Sequence, residues 1–88
     1  MEKEKVKKGW EERGFSFSVW VDPPGQCWDD FSHDSDELFI LVKGEVKMIL
    51  DGKTFMAEIG KEVFIPKGIV HSVHNIGNTH SVWYYGYN

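Results

Sequence analysis

The feature that most limits what this chain can become is its punctuation. From Gly14 onward, turn residues recur every few positions: Pro23-Pro24-Gly25, Asp34-Ser35-Asp36, Gly44, Asp51-Gly52, Gly60, Pro66-Lys67-Gly68 and Gly77-Asn78. The segments between them are too short for helices that bury a face, and their side chains repeat every two residues rather than every 3.6. Phe15, Phe17, Val19 and Val21 alternate with Ser16, Ser18, Trp20 and Asp22, the pattern of a half-buried strand. Further strands are expected over 26–33, 37–43, 45–50, 53–59, 62–65, 69–75 and 80–87. Asp51-Gly52 is the sharpest hairpin signal, because a type I′ turn needs positive φ at both central residues. About eight or nine short strands with no helical segment between them predict an all-β sandwich or barrel.

Residues 1–13 (MEKEKVKKGWEER) differ. Only Val6 and Trp10 are apolar, too little burial to offset ordering entropy. The reading is a charged N-terminal arm, frayed or a short helix, with Trp10 able to pin its end to a single domain over 14–88. The 88 residues allow one domain, and a chain this short is marginal as a monomer. The longest apolar run is Leu38–Val42, far below the ~20 residues of a spanning helix. With no apolar segment behind the charged N-terminus and one cysteine, Cys27, the expectation is a cytoplasmic protein without disulfides. The part after residue 13 holds ten acidic and five basic groups, which argues against a nucleic-acid binder. Five of those acids lie between Asp29 and Glu37, either a solvated loop or a cluster that favours a cation.

Three side chains could meet in a metal site: His33, Glu37 and His71. His33 and Glu37 flank a three-residue turn, so on antiparallel strands ~4.8 Å apart they can lie across from each other. A closed barrel can bring His71, after the Pro66–Gly68 turn, to the same interior point. Two imidazoles and a carboxylate match the donor sets of non-haem iron(II) and of catalytic zinc. Spacing alone favours reading each histidine as an ordinary core or surface residue.

Two stretches resemble the paired motifs of the cupins. Gly25, Phe31, His33, Glu37 and Gly44 fall at the positions of the first motif, G-x5-H-x-H-x3,4-E-x6-G, with Phe31 in place of its first histidine. Gly60, Pro66, Gly68, His71 and Asn75 match every position of the second, G-x5-P-x-G-x2-H-x3-N. Fifteen residues, 45–59, separate them. The resemblance implies a jelly-roll β-barrel that binds a divalent transition metal (Fe, Zn, Ni or Mn). It implies that the usual three-His, one-Glu set shrinks to His33, Glu37 and His71.

Alternation extends the map. Phe31 and Asp29 share a face with His33, Phe39 and Leu41 with Glu37, and Val73 and Asn75 with His71, while His74 faces away. Asp29 is then the one extra polar group near the ligands: a fourth ligand, a proton acceptor or a rim carboxylate. Ser81, Trp83, Tyr85 and Tyr87 share a face of the last strand, as barrel or dimer packing or as an aromatic wall for a small ligand. Phe31, Asp29, Phe39, Trp83 and Tyr85 are the candidate substrate contacts. Trp20 and Trp28 are expected outside the chamber, Cys27 as a buried small hydrophobe, His80 on the surface, and Asn75 tying a loop. The function expected is a metal-dependent enzyme of dioxygenase or isomerase type acting on a small molecule. The alternatives are a non-catalytic module for a small metabolite or sugar, or a metal that only stabilises the barrel. A homodimer is expected, with no nucleic-acid or membrane partner.

Overall fold

The computed structural model describes residues 1–88 as one helix and eight strands: α1 (Lys3–Glu12), β1 (Ser18–Asp22), β2 (Cys27–Phe31), β3 (Glu37–Lys43), β4 (Val46–Leu50), β5 (Lys53–Met56), β6 (Glu62–Ile65), β7 (His71–Asn75) and β8 (Ser81–Tyr87). The strands form two four-stranded antiparallel sheets, ordered β1-β8-β3-β6 and β2-β7-β4-β5, the jelly-roll arrangement. The Asp51-Gly52 turn has φ of 49° and 80°, as a type I′ hairpin between β4 and β5 requires. No helix is long and apolar enough to cross a membrane.

Both faces of β3 are covered, which explains its unbroken apolar run. Phe39 and Leu41 join Val46, Met48, Ile65 and Trp83 in the interior core. Leu38 and Ile40 face the other way and pack with Trp10, Phe15 and Tyr84 under α1. The N-terminal segment is therefore a packed helix rather than a frayed arm. Trp10 is 2% exposed and donates its indole N–H to Glu62 Oε1 (3.0 Å), and Arg13 grips both oxygens of the same carboxylate (2.8 and 3.1 Å). Truncating such a buried ring typically costs about 3–5 kcal/mol.

The expected phase of β1 is corrected. Val19 and Val21 face outward, whereas Asp22, which is buried, and Trp20, which is 39% exposed at the cavity mouth, stand opposite Ser81 and Trp83 of β8. The odd-numbered residues continue the outer face, and α1 is long enough to cover only Phe15 and Phe17 of that set. Cys27 is exposed rather than buried, its Sγ 3.6 Å from the Gly25 carbonyl oxygen. Asn75 ties the neighbouring loops: its amide N–H groups donate to the carbonyls of Pro23 (3.1 Å) and Thr79 (3.0 Å), and its oxygen accepts from Gly77 N–H (3.0 Å).

Gly86 marks the closest backbone approach. A Cβ there would lie 1.9 Å from the Ser16 carbonyl oxygen, where the chain between α1 and β1 crosses β8. Gly9, in α1, has nothing within 4 Å of the same position. In urea unfolding, Gly86→Ala is expected to lose about 3 kcal/mol or more, while Gly9→Ala gains about 0.5–1 kcal/mol from helix propensity.

Candidate metal centre and its cavity

One end of the barrel collects the three chemically distinctive side chains. His33 lies in the loop after β2, Glu37 opens β3 and His71 opens β7. The connecting loops are tied together at this end. Gly68 N–H donates to the His33 carbonyl (2.9 Å), and Lys67 N–H to Asp36 Oδ1 (2.8 Å). Asp36 N–H in turn donates to Asn88 Oδ1 (3.1 Å). The Pro66–Gly68 turn thus holds the loop that carries His33 next to the strand that carries His71.

Glu37 Oε1 faces both imidazoles, 3.5 Å from His33 Nε2 and 3.4 Å from His71 Nε2, and the three donor atoms lie within 4.8 Å of one another. Glu37 is 7% exposed and His71 5%. Glu37 Oε1 is fully buried yet has no hydrogen-bond partner, a property shared only with Ser81 Oγ. An unpartnered buried carboxylate oxygen is costly. His71 Nδ1 lies 3.1 Å from the Ile69 carbonyl, so Nδ1 carries the proton and Nε2 of the neutral ring presents a lone pair to that oxygen. A lone pair facing a carboxylate oxygen repels it unless a proton or a cation stands between them. Bonds of ~2.0–2.2 Å to a tetrahedral ion set neighbouring donors about 3.4 Å apart, close to the two separations here. The donor types and the two separations from Glu37 Oε1 suit a divalent metal.

The Glu37 carboxylate, to which a protonated ring can donate, holds His71 above the ordinary histidine range. Burial opposes the rise, and the Ile69 carbonyl and the Glu37 charge support it. Tyr87 stands beside the same group, its hydroxyl 3.4 Å from His33 Nε2 and its ring packed against the imidazole. Burial first, then the charges of Glu37 and Tyr85, push the phenol up to about 12, so it keeps its proton at neutral pH.

The three donors open into a cavity of about 220 Å³ with eight hydrophobic residues among its eleven lining residues. Of the side chains anticipated as contacts, Phe31, Phe39, Trp83 and Tyr85 line it and Asp29 does not. The β2–β7 register shifts between Trp28 and Phe31, and Asp30 adopts φ 55° with its N–H on Ser72 Oγ (3.0 Å). This bulge resets the alternation. Trp28 and Phe31 come to the same cavity, and Asp29 pairs with His74 instead. Trp20 and Trp28 line the cavity, contrary to the outward orientation expected for them. Both indoles donate to Asp22, which is 2% exposed: Trp20 Nε1 to Oδ1 (2.7 Å) and Trp28 Nε1 to Oδ2 (2.9 Å). Tyr87 was legible as the continuation of the Trp83–Tyr85 face. Asp22 had only its place two residues after Trp20 to mark it.

Comparison with known proteins agrees with this geometry. The family model described as a cupin domain matches residues 18–87. A cupin 2 conserved barrel domain protein from Salinispora arenicola superposes with a TM-score of 0.74 at 26% identity, over 83% of this chain and 61% of that one. The Cnp3 cupin domain of Schizosaccharomyces pombe gives 0.77 at 22% identity, over 83% and 54%. An oxalate oxidase gives 0.76 at 22%, over 86% and 42%. The chain thus spans roughly two fifths to three fifths of the length of these structures, and the likeness to the latter two is one of fold. No curated protein matches the chain in sequence.

A raised His71 pKa stabilises the metal-free fold fully below the unfolded histidine value of about 6.5, and this contribution is lost as pH rises through the folded value. In chelator, the melting-temperature advantage of the native protein over His71→Gln is expected to shrink from pH 5.5 to 8.5. With a divalent metal present it grows over the same range, because metal and proton compete for Nε2.

Proposed function

This chain belongs to the cupin family, and from that premise we propose that it holds one divalent transition metal at His33, Glu37 and His71 and presents it to a small organic molecule in the aromatic cavity. The observation that carries this reading is the buried, unpartnered Glu37 Oε1 between two imidazole nitrogens. A metal held there supplies Lewis acidity or redox chemistry at its open positions. The chain's own side chains do the rest. The Ile69 carbonyl fixes the His71 tautomer, so that Nε2 is the nitrogen offered. Phe39, Trp83 and Val73 give the inner cavity an apolar wall beside the donors. Tyr87 offers a phenol proton beside His33 and donates to an electron-rich atom of a bound molecule. Phe31, 40% exposed, brings an apolar wall where the family motif has a histidine.

Between the two reaction types, dioxygenase chemistry suits this site better than isomerisation. An isomerase that moves a proton needs a base. Asp29, the carboxylate otherwise available, is engaged with His74 outside the cavity, and Tyr87 is held as an acid. The second reading, a holder of a small metabolite without turnover, draws support from the same scarcity of proton-transfer groups. The oxalate oxidase of similar fold is known in complex with the substrate analogue glycolate, which supports a small guest in a barrel of this kind.

Protein purified without added metal is expected to carry about one iron, manganese, nickel or zinc per chain by elemental analysis. His71→Ala and Glu37→Gln lose it. Restoring metal at ~100 times its dissociation constant adds about 2.7 kcal/mol, which raises the melting temperature by roughly 10 °C or more in a domain this small. Loss of neither metal nor stability in both variants would overturn the site. Oxygen uptake with small thiols, diketones or phenols distinguishes the dioxygenase from the holder.

The same reading includes a homodimer, supported by exposed Val19 and Val21 on β1, at the edge of its sheet. Light scattering is expected to give about twice the 10.2 kDa chain mass; a monomer mass at micromolar concentration contradicts it.

A further inference from the structure

The outer half of the cavity is built differently from the metal centre, and its construction points to a ligand class. Four rings meet at steep angles. Trp20 stands against Trp28 at 72° (centroids 5.9 Å) and against Tyr85 at 80° (6.3 Å), and Trp28 stands against Phe31 at 55° (5.9 Å). Parallel rings would form a slot for a flat guest. Rings set at such angles form the sides of a box, which suits a compact, rounded group.

The aromatic faces are the part of the box that favours a cation. No Lys or Arg lines the cavity, and Glu37, its one acidic lining residue, belongs with His33 and His71 to the metal centre proposed above. Behind the two indoles lies a second carboxylate. Asp22 is almost fully buried and accepts both indole N–H groups, so each N–H is turned away from the cavity toward a negative charge. The guest therefore meets π-systems whose polar edge is already occupied and whose electron density the carboxylate raises. Such walls hold quaternary ammonium groups through the negative faces of the rings.

We infer that Trp20, Trp28, Tyr85 and Phe31 form a cation box for a methylated ammonium group, and that Asp22 is the positioning residue that fixes its two indoles. This deepens the small-molecule reading above and rests on it only for the far end of the guest, which extends toward His33, Glu37 and His71. A cavity of about 220 Å³ holds about seven water volumes of ~30 Å³. That leaves room for a guest of the size of choline or glycine betaine.

The test is titration calorimetry on the intact protein, metal-loaded and metal-stripped, with choline and with its uncharged isostere 3,3-dimethylbutan-1-ol. Choline is expected to bind roughly two- to thirty-fold tighter than the isostere, with a change in tryptophan fluorescence, in both metal states. Asp22→Asn is expected to shrink that preference while leaving metal content unchanged, and Trp28→Leu to abolish it. Because the comparison of the two ligands needs no variant, it stands even if Asp22→Asn fails to fold. Equal binding of the two, or no binding of choline while a small phenol or diketone binds, overturns the box and leaves the small-molecule reading standing. Choline selectivity in a protein that takes up no metal overturns the metal centre and leaves the box.

Discussion

The Glu37 carboxylate is buried at the inner end of the cavity, and one of its oxygens has only the two imidazole nitrogens near it, with no hydrogen-bond partner while those nitrogens are unprotonated. A barrel of this size has little stability to spare, so a buried charge facing two imidazole lone pairs is a strain that the rest of the fold must hold in place. Much of the architecture bears on that point. β3 supplies Glu37 and is clamped between the interior core and α1, with Trp10 tied to Glu62 on the neighbouring β6. His33 arrives on the loop after β2 and His71 at the start of β7, and the segments beside them are joined by the Gly68–His33 and Lys67–Asp36 hydrogen bonds. A divalent ion held among the three donors, as proposed, would convert the strain into binding energy, which is the sense in which metal and fold would be linked.

Around that centre the cavity divides into two environments. The inner part, with Tyr87, the two histidines and Glu37, is where charge and proton position matter. The outer part is a ring of aromatic side chains whose orientation is set by Asp22. Glu37 and His71 begin β3 and β7, whereas Trp20 and Trp28 come from β1 and β2, each an edge strand of its sheet, and β8 contributes to both parts through Tyr85 and Tyr87.

The barrel and the donors were legible because they depend on spacing. Gly44, Gly60 and Gly68 fall at turns and take φ of 98°, 83° and 79°, and the intervals between His33, Glu37 and His71 follow from the turns around them. What spacing could not show was phase. In β1, Val19 and Val21 read as the buried set by hydrophobicity. The barrel instead turns Trp20 and Asp22 inward, where a polar pair with long reach builds the wall. In β2, strict alternation sent Asp29 inward and Trp28 outward. The bulge at Asp30 adds one residue and reverses both, and an aspartate at φ 55° leaves little trace in a sequence. The N-terminal segment was undervalued because its composition is charged, yet one tryptophan, one arginine and one glutamate on β6 suffice to dock it.

The central claim is that Glu37 Oε1 and the two imidazole nitrogens share a metal ion. An anomalous difference map at the absorption edge of the metal, from crystals of protein purified without added ions, tests it most directly. The account predicts one strong peak at bonding distance, about 2.0–2.2 Å, from His33 Nε2, His71 Nε2 and Glu37 Oε1. A map without density at that point, with Glu37 Oε1 instead accepting a hydrogen bond from a protonated His71, would contradict it.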